Sequence, residues 1–166
     1  MLKQLHISNY ALIDELDVSF KSGFNVITGE TGAGKSILLG ALAFALGERA
    51  DTGVLYDKEK KCVIEALFEL DDDNLRPIFE ENDLDFEVEC IFRRELNPQK
   101  KSRAFINDTP ASLQTMKVIG DQLVDIHSQH DSLLLTDANF QIRLLDEIAQ
   151  NDKLLAEYRS EYSNRS

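Results

Sequence analysis

The chain has 166 residues, of which 43% are hydrophobic and 29% are charged. This length and composition are typical of a folded domain with a buried core, so we exclude extended disorder. The net charge of −12 argues against a surface that binds nucleic acid or anionic lipid through bulk charge alone. The longest apolar run, residues 37–46, is about half of what a bilayer crossing needs, and no export signal opens the chain. We therefore expect a cytoplasmic protein with no membrane partner.

The first third of the chain predicts strands around one apolar helix. Residues 2–8, 12–20 and 23–28 have strand-like composition, with turn residues at Asn9 and at 21–23 between them. Residues 37–46 are apolar on every side and are followed by Gly47, which predicts a buried helix with a glycine at its C-terminal end. This pattern predicts that the helix packs against a sheet formed by the strands.

The middle of the chain predicts an antiparallel β lobe. Residues 62–70 are strand-like, and a short helix is predicted from about 74 to 81. Residues 87–96 are predicted as a strand, with Val88, Cys90 and Phe92 at period two. Residues 97–99 turn the chain, and 102–106 run back to form a hairpin. Thr109 and Pro110 fit the cap and first position of a helix through residue 119, and 123–126 resemble another buried strand.

Cys62 and Cys90 lie within strand-like runs and have no paired spacing. This placement predicts buried, reduced thiols and no disulfide framework or zinc site.

The end of the chain has a helical repeat. Apolar or aromatic side chains and one asparagine alternate by three and four positions, at Leu144, Ile148, Asn151, Leu155, Tyr158 and Tyr162. The spacing fits the start of a coiled coil, and it equally fits a terminal amphipathic helix packed on its own domain.

The strongest motif is an eight-residue string that fits G-x-x-x-x-G-K-[ST] completely and lies between a predicted strand and a predicted helix. Its members are Gly29, Glu30, Thr31, Gly32, Ala33, Gly34, Lys35 and Ser36. The glycines let successive N–H groups face an anion, and the helix that follows adds its positive end. Lys35 is predicted to bridge the β- and γ-phosphates, and the Ser36 hydroxyl to bind Mg²⁺. The motif predicts ATP and Mg²⁺ as ligands.

A second polar cluster follows the predicted strand 123–126. Gln129 is our preferred residue there, because a glutamine can both contact Mg²⁺ and position the attacking water. His127 and His130 are an alternative metal pair, but they have no third ligand nearby in sequence. Asp125 is an outside candidate for an acidic Mg²⁺ ligand.

A late Asp146-Glu147 pair lies within the helical repeat instead of a strand and is interpreted as a decoy.

Five strings together resemble the RecN family, bacterial SMC-like proteins of DNA double-strand break repair. They occupy residues 9–13, 27–37, 46–51, 102–107 and 123–130. The resemblance implies an α/β P-loop NTPase fold: the N-terminal half of an ABC/SMC-like head (residues 1–136) and the start of a coiled-coil arm (residues 137–166). It places Gln129 at the family's Q-loop glutamine and, weakly, Arg49 at an arginine that reaches nucleotide or DNA.

The resemblance also implies partners. The Walker B aspartate and the catalytic glutamate belong to the C-terminal half of the same head, and no matching string occurs here. This chain would then be a fragment with slow ATP turnover or none. The full-length protein would be an ATPase that acts in DNA repair and recombination, as a homodimer of heads that sandwich ATP, associated with DNA in the nucleoid.

Two other functions stay open from the residues alone. One is a small-molecule phosphotransferase, although few basic residues are available for a lid over the phosphates. The other is a module that binds ATP without turnover. Basic residues around the predicted hairpin are the candidate DNA contacts of this half, and they are Arg93, Arg94, Lys100, Lys101 and Arg103.

Overall fold

The computed structural model describes residues 1–28, 34–49, 53–70 and 75–126, together with 142 and 149. Within these residues, one six-stranded sheet is formed by β1 (Leu2–Tyr10), β2 (Ile13–Ser19), β3 (Cys62–Glu69), β4 (Glu89–Leu96), β5 (Ser102–Ile106) and β6 (Thr109–Pro110). The strands lie in the order β2-β1-β3-β4-β5-β6, and every neighbouring pair is antiparallel. This sheet confirms the antiparallel lobe predicted from the sequence.

The helices of the described part are α1 (Lys35–Ala45), α2 (Arg76–Glu81) and α3 (Leu113–Leu123). Helix α1 contacts β1, β3 and β4, so it covers one face of the sheet. Strand β3 buries every second residue on that face, as period-two alternation requires. Phe68 and Phe92 meet edge to face in the core, with ring centroids 5.5 Å apart.

Several predicted elements are confirmed. Strand β3 matches the predicted 62–70, and β4 and β5 form the predicted hairpin, with Lys100 in its turn at a φ of 63°. Cys62 and Cys90 are both buried and free. Burial raises the pKa of each thiol to about 12.

The first turn comes later than predicted, because β1 continues through Asn9 to Tyr10. Asn9 is buried, and its side chain fixes the loop before β3. Its Oδ1 accepts from the Asp57 N–H at 2.6 Å, and its Nδ2 donates to the carbonyls of Asp57 (3.0 Å) and Lys60 (2.9 Å). The asparagine therefore has a structural role that its turn-forming character did not indicate.

The strand predicted at 23–28 is wrong for this chain, since residues 24–28 have no regular secondary structure. A strand exists only where a neighbouring backbone pairs with it. In the described sheet the edge strands are β2 and β6, and residues 24–28 pair with neither of them.

The helix predicted to start at Thr109 is also wrong at its beginning. Thr109 and Pro110 form the short edge strand β6, where a residue without an N–H is tolerated. The N-cap of α3 is Ser112, whose Oγ accepts from the Thr115 N–H at 3.0 Å. The strand predicted at 123–126 is replaced by the end of α3 at Leu123 and an irregular segment after it.

The chain divides into two units, Met1–Ile126 and His127–Ser166. The domain boundary predicted at 136/137 and the coiled-coil start fall in the second unit, outside the described residues except for positions 142 and 149. Both stay predictions.

Candidate functional site

The described part of the predicted phosphate loop is its end, where α1 begins. Gly34 is the N-cap, and Leu38 N–H donates to the Gly34 carbonyl at 3.0 Å to close the first turn. Lys35 and Ser36 are exposed in this turn. A glycine cap has no side chain to accept from the first N–H groups, and no acidic residue lies in the first turn. This end of α1 therefore keeps donors and a positive dipole for an anion.

The other predicted site residues lie outside the described residues. They are Gly29, Glu30, Thr31, Gly32, Ala33, Gln129, His127 and His130. Their roles stay predictions. Asp125, the outside candidate for an acidic Mg²⁺ ligand, is exposed and follows α3. It therefore does not lie at the end of a strand, where such a ligand was expected.

The far end of α1 is held rigidly by the sheet. Ala41, Leu42, Phe44 and Ala45 are buried, and the Tyr10 ring stacks on Phe44 with centroids 6.3 Å apart. The helix therefore presents Lys35 and Ser36 from a fixed base, as a phosphate site requires.

The burial of Arg94 was not predicted from the sequence. It was predicted as a surface contact for DNA, but it is 1% exposed, so that prediction is wrong. Its Nη1 donates to the carbonyls of Phe44 (3.1 Å) and Glu48 (3.3 Å), and its Nη2 donates to Ser102 Oγ (2.9 Å). The guanidinium also lies 4.1 Å from the Phe44 ring centroid.

This arginine places a cation at the C-terminal end of α1, where the helix dipole favours positive charge. Burial lowers the pKa of Arg94 to about 10, so the group stays protonated at neutral pH. The period-two pattern of β4 was the signal that could have found it, because positions 90, 92, 94 and 96 share the buried face.

Two glycines let α3 approach the same end of α1. Gly47 has a φ of +103°, and a Cβ there would lie 2.8 Å from the Lys117 backbone nitrogen. A Cβ on Gly120 would lie 2.9 Å from the Leu46 Cβ. An ion pair between Lys117 and Glu48 joins the two segments at the surface. Arg49, the weakly assigned arginine of this loop, is exposed.

Carboxylates partly neutralise Arg93 of the hairpin and Lys61, which precedes β3. Arg93 lies 3.9 Å from both Glu65 and Glu95 and 4.5 Å from the Phe105 ring centroid. Lys61 lies 3.4 Å from Glu95. These pairs reduce the local positive potential that a phosphate backbone would meet.

An exposed apolar segment leads into the phosphate loop. Phe24 is 94% exposed, Val26 66% and Ile27 45%. The Asn25 side chain folds back, and its Nδ2 donates to the Lys21 carbonyl at 2.8 Å. Exposed apolar side chains in such a run are typical of a surface that takes part in an interaction.

No helix among the described residues is both long and apolar enough to cross a membrane.

Comparisons with known proteins agree with these features. The family model of the AAA domain matches residues 4–165. The chain is 40% identical to the DNA repair protein RecN of Haemophilus influenzae, over 98% of this chain and 30% of that protein. It is 38% identical to RecN of Bacillus subtilis, over 90% of this chain and 26% of that protein. The chain thus spans less than a third of the length of these curated relatives.

Solved structures share the fold. An Smc head domain with a coiled coil from Pyrococcus yayanosii matches with a TM-score of 0.68 at 18% identity, over 98% of this chain and 36% of that one. A structure from work on ATP-driven dimerization of SMC ATPases matches with a TM-score of 0.62 at 19% identity, over 88% of this chain and 97% of that one. These similarities confirm the predicted fold, half of an ABC/SMC-like head, and the resemblance to RecN.

Proposed function

The chain belongs to the AAA domain family, and from this premise we propose that it is the ATP-binding part of a RecN-like ATPase that acts in DNA double-strand break repair and recombination. The observation that carries the proposal is the placement of Gly34, Lys35 and Ser36 on the first turn of a helix whose other end is fixed in the core. They complete the phosphate-loop motif, and the RecN relatives support the DNA repair context.

In the proposed site, ATP lies with its phosphates at the N-terminus of α1. Lys35 would place its charge on the β- and γ-phosphates, and the Ser36 hydroxyl would be one oxygen ligand of Mg²⁺. The backbone N–H groups of the motif would be further donors to the phosphates. Gln129 would contact Mg²⁺ and orient the attacking water.

Turnover requires a second piece of protein. In-line attack on the γ-phosphate needs an activated water and charge stabilisation, and Lys35, Ser36 and Gln129 do not provide a general base. We assign that base to the C-terminal half of the same head. The exposed side chains of Phe24, Val26 and Ile27 support a second piece of protein beside the phosphate loop, because they form an apolar surface that such a piece could cover.

ATP then has a structural role as well as a chemical one. Two complete heads close on two ATP molecules, and hydrolysis separates them, while the arms hold DNA ends. The proposed location is the bacterial cytoplasm, near the nucleoid, where such a substrate is found.

The test of the nucleotide site compares Lys35→Ala with Lys58→Ala, since Lys58 is an exposed lysine in a loop. Binding of a fluorescent ATP analogue to the chain is measured by anisotropy in the presence of Mg²⁺. We expect Lys35→Ala to weaken binding at least about tenfold, because it removes a charge from the phosphates, and Lys58→Ala to leave binding unchanged. Equal affinity of the two variants, with equal melting profiles, contradicts the assignment.

The requirement for a second half is tested by adding the C-terminal half of the head, either as a separate chain or joined through a short linker. We expect phosphate release to rise from near background and ATP-dependent dimers to form in light scattering. Brisk hydrolysis by the 166-residue chain alone would show that it contains its own catalytic acid.

A further inference from the structure

The face of the sheet opposite α1 carries, near its β2 edge, three side chains of types that can bind a metal ion. Leu5 and Ile7 of β1 are buried on the α1 side, so His6 between them projects from the opposite face. His6 lies directly across from Asp17 of β2, and Ser8 lies across from Glu15. Because residues two apart share a face, Glu15 and Asp17 both flank the imidazole.

The donor atoms of these three side chains converge. One ligand atom each from His6, Glu15 and Asp17 lies within 4.8 Å of the other two, and His6 Nδ1 is 3.0 Å from Asp17 Oδ1. Bonds of about 2.0–2.2 Å from a tetrahedral Zn²⁺ place its ligand atoms roughly 3.3–3.6 Å apart. Small side-chain rotations therefore suffice to bring the set onto one ion, and the paired strands hold its backbone in register.

Groups around these three residues also favour a bound cation. Gln4 Nε2 donates to Asp17 Oδ1 at 3.3 Å, which orients the carboxylate as outer partners of metal ligands do. Glu65 of β3 lies across from His6 on the other side and adds negative charge. A depression of about 240 Å³ beside the cluster, lined in part by His6, Asp17 and Glu65, has room for an ion with bound water.

We propose that His6, Glu15 and Asp17 form a surface site for a divalent transition-metal ion of the zinc class, with water completing its coordination. One imidazole nitrogen with two carboxylates suits Zn²⁺ better than Mg²⁺, which prefers oxygen ligands alone. The site lies on the sheet face away from α1, so it is separate from the Mg²⁺ site proposed at the N-terminus of α1. It does not depend on the proposed ATPase function.

The test uses Zn²⁺ as the probe, titrated calorimetrically into the chain in buffer with excess Mg²⁺. We expect Zn²⁺ binding at this site. His6→Ala, Glu15→Gln and Asp17→Asn should each weaken it at least about tenfold, since even the loss of an outer partner costs that much. Glu15 is exposed, so Glu15→Gln tests the site without risk to folding, and circular dichroism checks the other two variants.

Two controls separate this site from other zinc ligands of the chain. Glu89→Gln changes an exposed carboxylate of β4, and we expect no effect on Zn²⁺ affinity. The double variant His127→Ala/His130→Ala removes the only other histidines of the sequence, and should retain the site. Loss of binding in that double variant with retention in His6→Ala overturns the proposal, as does the absence of Zn²⁺ binding at about 0.1 mM.

Discussion

Arg94, the buried arginine of β4, gives the most direct test of how the sheet holds helix α1. Arg94→Met removes the guanidinium but keeps an unbranched side chain that fills much of the same space. The carbonyl of Glu48 and the hydroxyl of Ser102 lose their donor. The Phe44 carbonyl keeps a partner, because the Gly47 N–H also donates to it at 3.2 Å.

The expected change in the free energy of unfolding is the loss of the Arg94 contacts minus the desolvation cost that the variant no longer has. Hydrogen bonds from a charged donor contribute about 1.5–3 kcal/mol each, and a desolvated cation–π contact such as that on Phe44 contributes about 2 kcal/mol. The desolvation of a buried guanidinium, which costs several kcal/mol, disappears in the variant and offsets much of this loss. We expect Arg94→Met to lower the free energy of unfolding by about 1–3 kcal/mol. Arg94→Ala should cost about 3–5 kcal/mol, because it also leaves a cavity.

The assay is urea unfolding followed by circular dichroism, with Arg103→Met as the matched control. Arg103 is an exposed arginine on the neighbouring strand, and its replacement should change the free energy of unfolding by less than about 0.5 kcal/mol. If Arg94→Met is as stable as the wild type, the contacts with Phe44, Glu48 and Ser102 do not hold the helix, and our reasoning is refuted.

Four further predictions follow from the structure. Gly47→Ala should destabilise the chain by at least about 1 kcal/mol more than Gly23→Ala in thermal unfolding, since both glycines have positive φ but only at Gly47 would a Cβ meet backbone atoms; equal losses would contradict the crowding. Burial raises the pKa of Cys62 and Cys90 to about 12, so their contribution to stability is complete below the unfolded thiol pKa, about 8.5, and is lost as pH rises toward 12. Replacing both cysteines with alanine should make the free energy of unfolding depend less steeply on pH between about 8.5 and 12. An unchanged slope would refute the role of the two thiols. The chain should bind duplex DNA weakly with a shallow salt dependence because its net charge is −12; tight binding with a steep slope in anisotropy titrations would overturn the charge argument. In the full-length protein, Gln129→Ala should lower the turnover rate more than ATP affinity, and equal loss of both would remove its proposed role.

Local patterns in the sequence predicted much of the fold and part of the site. The alternation at the start of β4 and the break after it predicted the hairpin. The phosphate-loop motif predicted a helix directly behind it, expected from residue 37, and α1 begins at Lys35. Both depend on neighbours in sequence. Pro110 was misread because a first helical position and an edge strand tolerate a missing N–H equally well.

What the sequence did not predict depends on contacts between distant segments. Residues 23–28 have strand composition, but a strand also needs a partner that lies elsewhere. Arg94 was placed on the surface because its charge was given more weight than its position in the alternation of β4. The group formed by His6, Glu15 and Asp17 depends on the register of β1 against β2, which neither strand reveals alone.

The exposed segment before the phosphate loop affects how the chain behaves on its own. Residues 24–28 read Phe-Asn-Val-Ile-Thr, which has no charge, no proline and four residues of high β-propensity. This composition is typical of segments that pair with copies of themselves. The hydrogen bonds from Asn25 to the Lys21 and Gly23 carbonyls fold the start of this segment back on itself. We therefore expect aggregation of the chain to begin at this short apolar segment, despite the net charge of −12.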